Sequence, residues 1–222
     1  VIVMMSGIVG NNTHRPLDIN EFRAFAMVDD LVPLIFINSN DSVNGKLFSL
    51  LHEFAHICIG NNSLYNDRYS SGTRVSKAES VSNAVAAEIL VPQVMFEKKW
   101  KEIDKFDDPI KTIDVLTKYF SCGTTVIARK ALDNGYIDCS VYRKLSQIAV
   151  NRYNEKRKKE KEQGGGGDYY RTAASRIDTR FFKSLVSSVH EGKTLYTDAF
   201  RLTNTNRSTF ENLVNKMGGG SK

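Results

Sequence analysis

Residues 46–59 form the strongest predicted helix of the chain, and two histidines lie one turn apart within it. Asp41 or Ser42 is placed to cap its start, and Gly60 is suited to end it. His52 and His56 are four positions apart, so their side chains project from one face of the helix. The apolar residues that predict its buried side are Leu47, Leu50, Leu51, Phe54, Ala55 and Cys58.

Two imidazoles at this spacing can hold one metal ion, as in the pattern His-Glu-x-x-His. Glu53 lies about 100° further around the helix, where it can reach a water molecule at the ion without being a third ligand. The ion lowers the pKa of water toward about 7 and polarises a carbonyl group. Glu53 can then take the proton and pass it to a leaving amine. The alternative is a chance match on a surface helix, but the apolar flanks predict burial, and buried polar side chains need partners.

A catalytic zinc site needs a third protein ligand and leaves its fourth position to water or substrate. No further histidine follows His56 at short spacing, so we expect a carboxylate from the next predicted helix, residues 76–90. Glu79 shares a face with Asn83, whose amide can hydrogen-bond a ligand histidine. Glu88 lies near the end of that helix and is more simply a capping or ion-paired carboxylate. Glu79 is therefore preferred as the third ligand, and Glu88 stays open as the alternative.

Composition is typical of a soluble globular protein, with 41% apolar and 25% charged residues. Three scattered cysteines and the lack of a long apolar stretch favour a reducing, cytoplasmic location over secretion or a membrane. The net charge of +6 divides unevenly: from residue 140 onward there are 17 Lys+Arg and 8 Asp+Glu, hence +9, which leaves −3 before it. This basic C-terminal part permits contact with DNA or an acidic protein. Val1 in place of an initiator methionine suggests a fragment.

The rest of the chain predicts an α+β fold. We expect a strand in residues 1–10, a loop in 11–17, a short helix in 18–27, and a strand in 34–38 that starts after a proline or lies at a sheet edge. Residues 113–132 predict a helix-turn-helix with Thr124, Thr125 and Arg129 foremost, which can contact DNA, pack against the core or dock a substrate. Residues 164–167 predict a glycine linker, followed by an amphipathic helix around 181–189.

Two segments together resemble the ImmA/IrrE metallo-endopeptidases. The first is 46–56, which contains the His-Glu-x-x-His pattern, and the second is 79–92, which carries Glu79, Asn83, Ala86 and Pro92. That family has the same two helices in the same order. Residues 7–13 and 34–38 also look familial, so the resemblance covers about residues 1–105.

The resemblance implies a zincin-like metallopeptidase core in residues 1–105. The remaining sequence predicts a helical subdomain with a helix-turn-helix-like element in 106–163, and a glycine linker with a C-terminal helical segment in 164–222. The resemblance also implies a site of the gluzincin type, with His52, His56 and Glu79 as ligands of Zn²⁺ or Mn²⁺ and Glu53 as general base. The implied protein substrate is a helix-turn-helix repressor, whose cleavage relieves repression. The group that would stabilise the oxyanion is not identified among Tyr65, Tyr69, Tyr169, Tyr170 and His190.

Two functions follow from this sequence. The first is an endopeptidase for one specific protein, with a substrate strand pairing along the strand at 34–38. The second is a zincin-like regulator or antitoxin that acts by binding protein or DNA without catalysis. A binding protein has no need of Glu53 beside two stacked histidines, which favours the enzyme.

Overall fold

A computed structural model describes residues 1–65, 76–103, 108–162 and 169–217. The fold is α+β, with a small sheet and mostly helical structure elsewhere. The chain divides into two compact units. Unit 1 contains residues 1–41, 57–73 and 166–222, and unit 2 contains 42–56 and 74–165. The predicted division at residues 105 and 163 stays a prediction.

The strands of the described residues all lie in unit 1. They are β1 (Ile2–Ser6), β2 (Ile8–Val9), β3 (Asn12–Pro16), β4 (Ala24–Met27), β5 (Leu34–Asn38) and β6 (Ser63–Tyr65). The main sheet has the order β1-β5-β4-β6, with β1 parallel to β5 and with β4 antiparallel to both β5 and β6. Strands β2 and β3 form a separate antiparallel hairpin.

The helices of the described residues follow in chain order. They are α1 (Val43–Cys58), α2 (Lys77–Leu90), α3 (Gln93–Ile103), α4 (Pro109–Tyr119), α5 (Thr124–Asp133), α6 (Cys139–Glu162), α7 (Tyr169–Ser175), α8 (Thr179–His190), α9 (Tyr196–Thr203) and α10 (Arg207–Met217). None of the helices in these described ranges is both long and apolar enough to cross a membrane.

Two local predictions in unit 1 are wrong, and a third is confirmed in only one of its two alternatives. Residues 18–27 do not form a helix, because Ala24 and Ala26 are buried in β4 and pair with Ile37 and Ile35 of β5. Residues 12–16 form β3 instead of a loop. Strand β5 begins directly after Pro33, as one of the two alternatives for that proline predicted, but β5 is not an edge. It is paired on both sides, so a substrate strand cannot add to it.

The C-terminal helices of unit 1 share an aromatic core. Phe182 of α8, Ala199 of α9 and Phe210 of α10 are all buried at its centre. The rings of Phe182 and Phe210 have centroids 5.4 Å apart. The amphipathic helix predicted around residues 181–189 is confirmed as α8.

Unit 2 contains helices only, in its described residues, and its core surrounds Trp100 and Ile113. The ring of Trp100 stacks on that of Tyr136 with centroids 4.7 Å apart. Both predicted helices that carry the candidate ligands are confirmed, as α1 and α2. The predicted pair of helices in 113–132 is confirmed as α4 and α5. The glycine linker at 164–167 lies outside the described residues.

Candidate metal centre

The candidate ligands lie on α1 and α2, and each of these helices has a serine cap. The hydroxyl of Ser42 accepts from the backbone N–H of Gly45 at 2.9 Å, and that of Ser76 accepts from the N–H of Glu79 at 3.1 Å. Each bond satisfies a donor that the first helical turn leaves without a partner. The cap on α2 therefore fixes the backbone of the residue whose carboxylate faces the histidines.

Polar and small side chains replace apolar ones on one face of each helix. On α1 this face consists of Ser49, His52, Glu53 and His56, all buried. On α2 it consists of Glu79, Ser82, Asn83 and Ala86, which follow the same spacing of three and four residues. Ser49 and Ser82 are buried on these faces, and sequence reasoning did not single them out. Their spacing of three residues from His52 and Glu79 was the available signal.

Three predicted ligands converge on one point. The Nε2 atoms of His52 and His56 are 3.1 Å apart. Glu79 approaches both rings, with one carboxylate oxygen 3.2 Å from Nε2 of His52 and the other 3.2 Å from Nε2 of His56. The ligand atoms of the three residues all lie within 4.8 Å of one another. Both histidines are buried, whereas the Glu79 side chain is one-third exposed.

This donor set fits a divalent metal ion. Two ligands at about 2.0–2.1 Å from a tetrahedral zinc ion are about 3.3 Å apart. The observed separations of 3.1 and 3.2 Å are close to that value. Two imidazoles and one carboxylate are also the three protein ligands of one type of catalytic zinc site, which keeps one position open.

Asn83 selects the ring nitrogen that His52 presents to the centre. Its side-chain oxygen lies 3.0 Å from Nδ1 of His52. An amide oxygen only accepts, so Nδ1 carries the proton and Nε2 presents its lone pair. The structure thus brings the predicted Asn83 beside the predicted ligand. Nδ1 of His56 is buried, and no described residue hydrogen-bonds to it.

Burial keeps both histidines neutral. Burial, the larger cause, and the positive charge that His56 carries when protonated together lower the pKa of His52 to about 4. Burial also lowers the pKa of His56, although the charge of Glu79 acts in the opposite direction. Neutral imidazole is the form that binds metals, so the site is prepared for a cation near neutral pH.

Glu53 follows His52 on α1, and its side chain is completely buried. A carboxylate away from water is costly unless charged or hydrogen-bonding partners stabilise it. Its sequence position between the two histidines and its burial fit the predicted general base. The role itself stays a prediction.

Glu88, the alternative ligand, is engaged elsewhere. Its carboxylate lies 2.6 Å from Nζ of the buried Lys130 and accepts from the backbone N–H of Gln93 at 2.8 Å. Both hydrogen bonds lower the pKa of Glu88, and the bond from Lys130 has the larger effect. Glu88 therefore holds Lys130 and the start of α3, as the capping and ion-paired interpretation predicted.

The other candidates do not join the group of three ligands. Cys58 is exposed and is not among the residues whose ligand atoms converge. His190 is the last residue of α8 in unit 1. Tyr69 and the side chains of Tyr65, Tyr169 and Tyr170 lie outside the described residues. The oxyanion group therefore stays unassigned.

An α+β chain whose His-Glu-x-x-His helix meets a glutamate from the next helix belongs to the metallopeptidase-like class. Comparison with known families agrees. The sequence model of the Peptidase_M78 family, described as an IrrE N-terminal-like domain, matches residues 11–132, and the chain belongs to this family. A domain of unknown function (DUF8813) matches residues 177–216. Searches of the curated proteins and of the solved structures gave no significant match.

Proposed function

We propose that this chain is a metal-dependent endopeptidase that cleaves a specific protein, and that its resident ion is Zn²⁺, with Mn²⁺ as the alternative. The convergence of two imidazole nitrogens and a carboxylate within 4.8 Å carries this proposal, together with the buried Glu53 that directly follows His52 on α1. The membership of the family of IrrE N-terminal-like domains supports it.

His52, His56 and Glu79 would hold the ion. When bound, it would supply a Lewis acid that polarises the scissile carbonyl and makes water more acidic. Asn83 keeps the Nε2 lone pair of His52 directed at the centre through its 3.0 Å contact with Nδ1. Glu79 contributes one negative charge against the ion, which reduces the cost of placing a dication beside buried rings.

Glu53 would move the proton. Its carboxylate takes a proton from the attacking water and delivers it to the amine that leaves when the peptide bond breaks. A conservative amide at this position keeps the shape of the side chain but cannot accept that proton. This separates proton transfer from metal binding.

The substrate is proposed as a DNA-binding repressor. The resemblance of the two ligand helices to ImmA/IrrE peptidases supports this choice, since several of those enzymes cleave repressors. Cleavage would remove the repressor from its operator and allow transcription of the repressed genes.

The test is co-expression of the chain with a candidate helix-turn-helix repressor from a neighbouring gene, followed by detection of repressor fragments. Wild type should cleave, and Glu53→Gln should retain stoichiometric metal but lose cleavage by at least about a hundredfold. Glu155→Gln, an exposed glutamate on α6, is the matched control and should cleave like wild type. Cleavage that survives Glu53→Gln would refute Glu53 as the base. Purified protein without stoichiometric metal would refute the metal centre.

A further inference from the structure

Among the described residues, two pairs of helices, α4 with α5 and α9 with α10, are joined by a turn whose left-handed residue is not glycine. Helix α4 is followed by Ser121 and helix α9 by Asn204, and both residues have φ of 50°. The residue after each donates its backbone N–H to a carbonyl five positions earlier, Cys122 to Thr117 at 3.3 Å and Thr205 to Phe200 at 2.9 Å. This bond closes a helix over a left-handed residue. The next helix begins after a turn of three or four residues, as in helix-turn-helix motifs.

The two pairs also share their buried positions. Five residues before the left-handed residue are Leu116 and Ala199, and six residues after it are Ile127 and Phe210, all buried. Burial recurs nine residues after it, at Lys130 and Leu213. Both pairs are therefore helix-turn-helix elements with one register, although sequence reasoning identified only α4 and α5.

In the first pair, much of the second helix, α5, is buried within unit 2. Ile127, Ala128, Lys130 and Ala131 of α5 are buried. Its start packs against α1, because a Cβ on Gly123 would lie 3.8 Å from Cβ of Asn44. Exposed side chains remain along one row, at Thr125, Arg129 and Asp133. A row this narrow favours the predicted packing role of α4 and α5 over a place in a DNA groove.

Helix α10 presents a wider polar face. Its exposed residues are Arg207, Ser208, Glu211, Asn215 and Lys216. Arginine and asparagine are the side chains that make bidentate hydrogen bonds to guanine and adenine. Arg207 pairs with Glu211 at 2.9 Å, but both side chains are more than half exposed, so this pair is weak and Arg207 can be recruited by a ligand.

A rigid base supports this face. Phe200 and Phe210 have ring centroids 5.4 Å apart, and Phe210 packs equally close to Phe182 of α8. The hydroxyl groups of Thr203 and Thr205 are hydrogen-bonded to each other across the turn, with their oxygen atoms 2.7 Å apart. Three helices around one core are the usual support for a helix that enters the major groove.

The net positive charge of residues 171–217 favours binding to a polyanion. Residues 171–217 contain eight Lys+Arg and four Asp+Glu, so 8 − 4 gives +4. We infer that α9 and α10 form a helix-turn-helix that binds double-stranded DNA, with α10 as the helix in the major groove. This inference is independent of the proposed peptidase activity, since it uses no residue of the metal centre.

The experiment measures binding of the full chain to a labelled duplex of mixed sequence by fluorescence anisotropy, over a salt series starting at about 50 mM. Wild type should bind with a dissociation constant in the micromolar range, and its affinity should fall steeply with salt. Ser208→Glu should weaken binding by at least about tenfold, because it places a negative charge on the exposed face toward phosphate.

Thr125→Glu is the matched control, because Thr125 and Ser208 are both exposed second residues of the second helix of their pair. A glutamate in a first helical turn favours the helix, so both variants should fold, as circular dichroism will check. Thr125→Glu should bind DNA like wild type. Arg207→Ala and Arg129→Ala form a second pair of variants. Arg207→Ala should reduce the magnitude of the slope of log affinity against log salt concentration by about one, whereas Arg129→Ala should leave this slope unchanged.

Three results would overturn the inference. The first is failure of the wild type to bind the duplex at the lowest salt. The second is loss of binding in Thr125→Glu, alone or together with Ser208→Glu, or retention of binding in both variants. The third is displacement of the duplex by equimolar single-stranded RNA, which would transfer the surface to another class of nucleic acid.

Discussion

The assignment of the third ligand rests on two glutamates of one helix with different partners. Glu79 faces both histidine rings at 3.2 Å, whereas Glu88 is bound to Lys130 at 2.6 Å. A carboxylate that already neutralises a buried ammonium is poorly available to a metal, because its removal would leave that ammonium without its ion-pair partner.

We therefore expect opposite results from removing each carboxylate. Glu79→Ala should weaken metal retention at least about tenfold, as measured by competition with a chelator, while the fold persists. Glu88→Ala should keep the metal but lower the stability of the metal-free protein by about 1 kcal/mol or more, since Lys130 loses its ion-pair partner. The reverse ranking of metal retention would give the ligand role to Glu88.

The buried histidines also predict a pH dependence of stability. Burial and the charge of His56 lower the pKa of His52 to about 4 in the folded state, while an exposed histidine has a pKa of about 6.5. Between these values the unfolded chain binds more protons, so stability rises with pH across the window and is lost as pH falls. Above about pH 7 both states are neutral and the effect vanishes.

For the metal-free protein, the free energy of unfolding should decrease by up to about 3 kcal/mol between pH 7 and pH 4 on account of His52. Urea unfolding in the presence of a chelator will measure this. His52→Gln is the control, and its stability should depend less steeply on pH in the same range. Identical slopes for the two proteins would show that His52 is not the group responsible.

Among the elements, α1 and α2 could be predicted from sequence because their signals are local. The periodic apolar residues that predict each helix lie within a few helical turns of one another. The spacing of His52 and His56 then fixed their common face. Predicting the contact between Glu79 and the histidine rings also required that α2 pack against α1. The spacing of four residues between Glu79 and Asn83, which places both on one face of α2, was enough to predict which face does so.

Strand β4 shows where local reasoning failed. Phe22, Phe25 and Ala26 match a helical spacing, but Ala24 and Ala26 alternate as buried residues of a strand. Pairing with β5 decides between the two patterns, since Phe25 stacks on Phe36 with centroids 5.1 Å apart. That partner lies across a loop, and the spacing of apolar residues within 18–27 does not contain it. For the same reason, the interior position of β5 could not be predicted.

The capped start of α2 makes a separate prediction at this scale. Ser76→Ala removes the hydroxyl that accepts from Glu79 N–H and should cost about 1 kcal/mol of stability. Chemical denaturation will measure it. Ser80→Ala, an exposed serine within the same helix, should change stability by less than about 0.5 kcal/mol. Equal effects of the two substitutions would contradict a capping role for Ser76.

For the molecule as a whole, the C-terminal segment completes the sheet unit. Strand β1 is an edge of the main sheet, yet its backbone N–H groups are not left to solvent. Met5 donates to the carbonyl of Arg176 at 3.1 Å, and Val3 donates to the carboxylate of Asp178 at 3.2 Å. Sequence alone could not join residues more than 170 positions apart. Covering an edge in this way protects it from pairing with other chains.

Asp178 joins strand β1 to the start of helix α8, so its removal should lower the stability more than the removal of an ordinary helix cap. It accepts from the backbone N–H groups of Arg180 and Phe181 and from that of Val3. Burial raises the pKa of Asp178, but the bonds from Arg180 and from these N–H groups outweigh it and lower that pKa to about 2. Because the folded pKa is depressed, this stabilisation is present above about pH 4 and is lost as pH falls toward 2.

We expect Asp178→Ala to lower stability at pH 7 by about 2 kcal/mol or more, since the capping bonds and the anchor to β1 are lost together. Asp108→Ala is the matched control, because Asp108 caps α4 with one local bond to Ile110 N–H and should cost about 1 kcal/mol. Urea unfolding at pH 7 will compare the two. Hydrogen exchange should also show faster exchange at Val3 and Met5 in Asp178→Ala alone, because their N–H groups lose the segment that covers the β1 edge. Equal losses of stability in both variants, with β1 still protected, would show that Asp178 acts only as a helix cap.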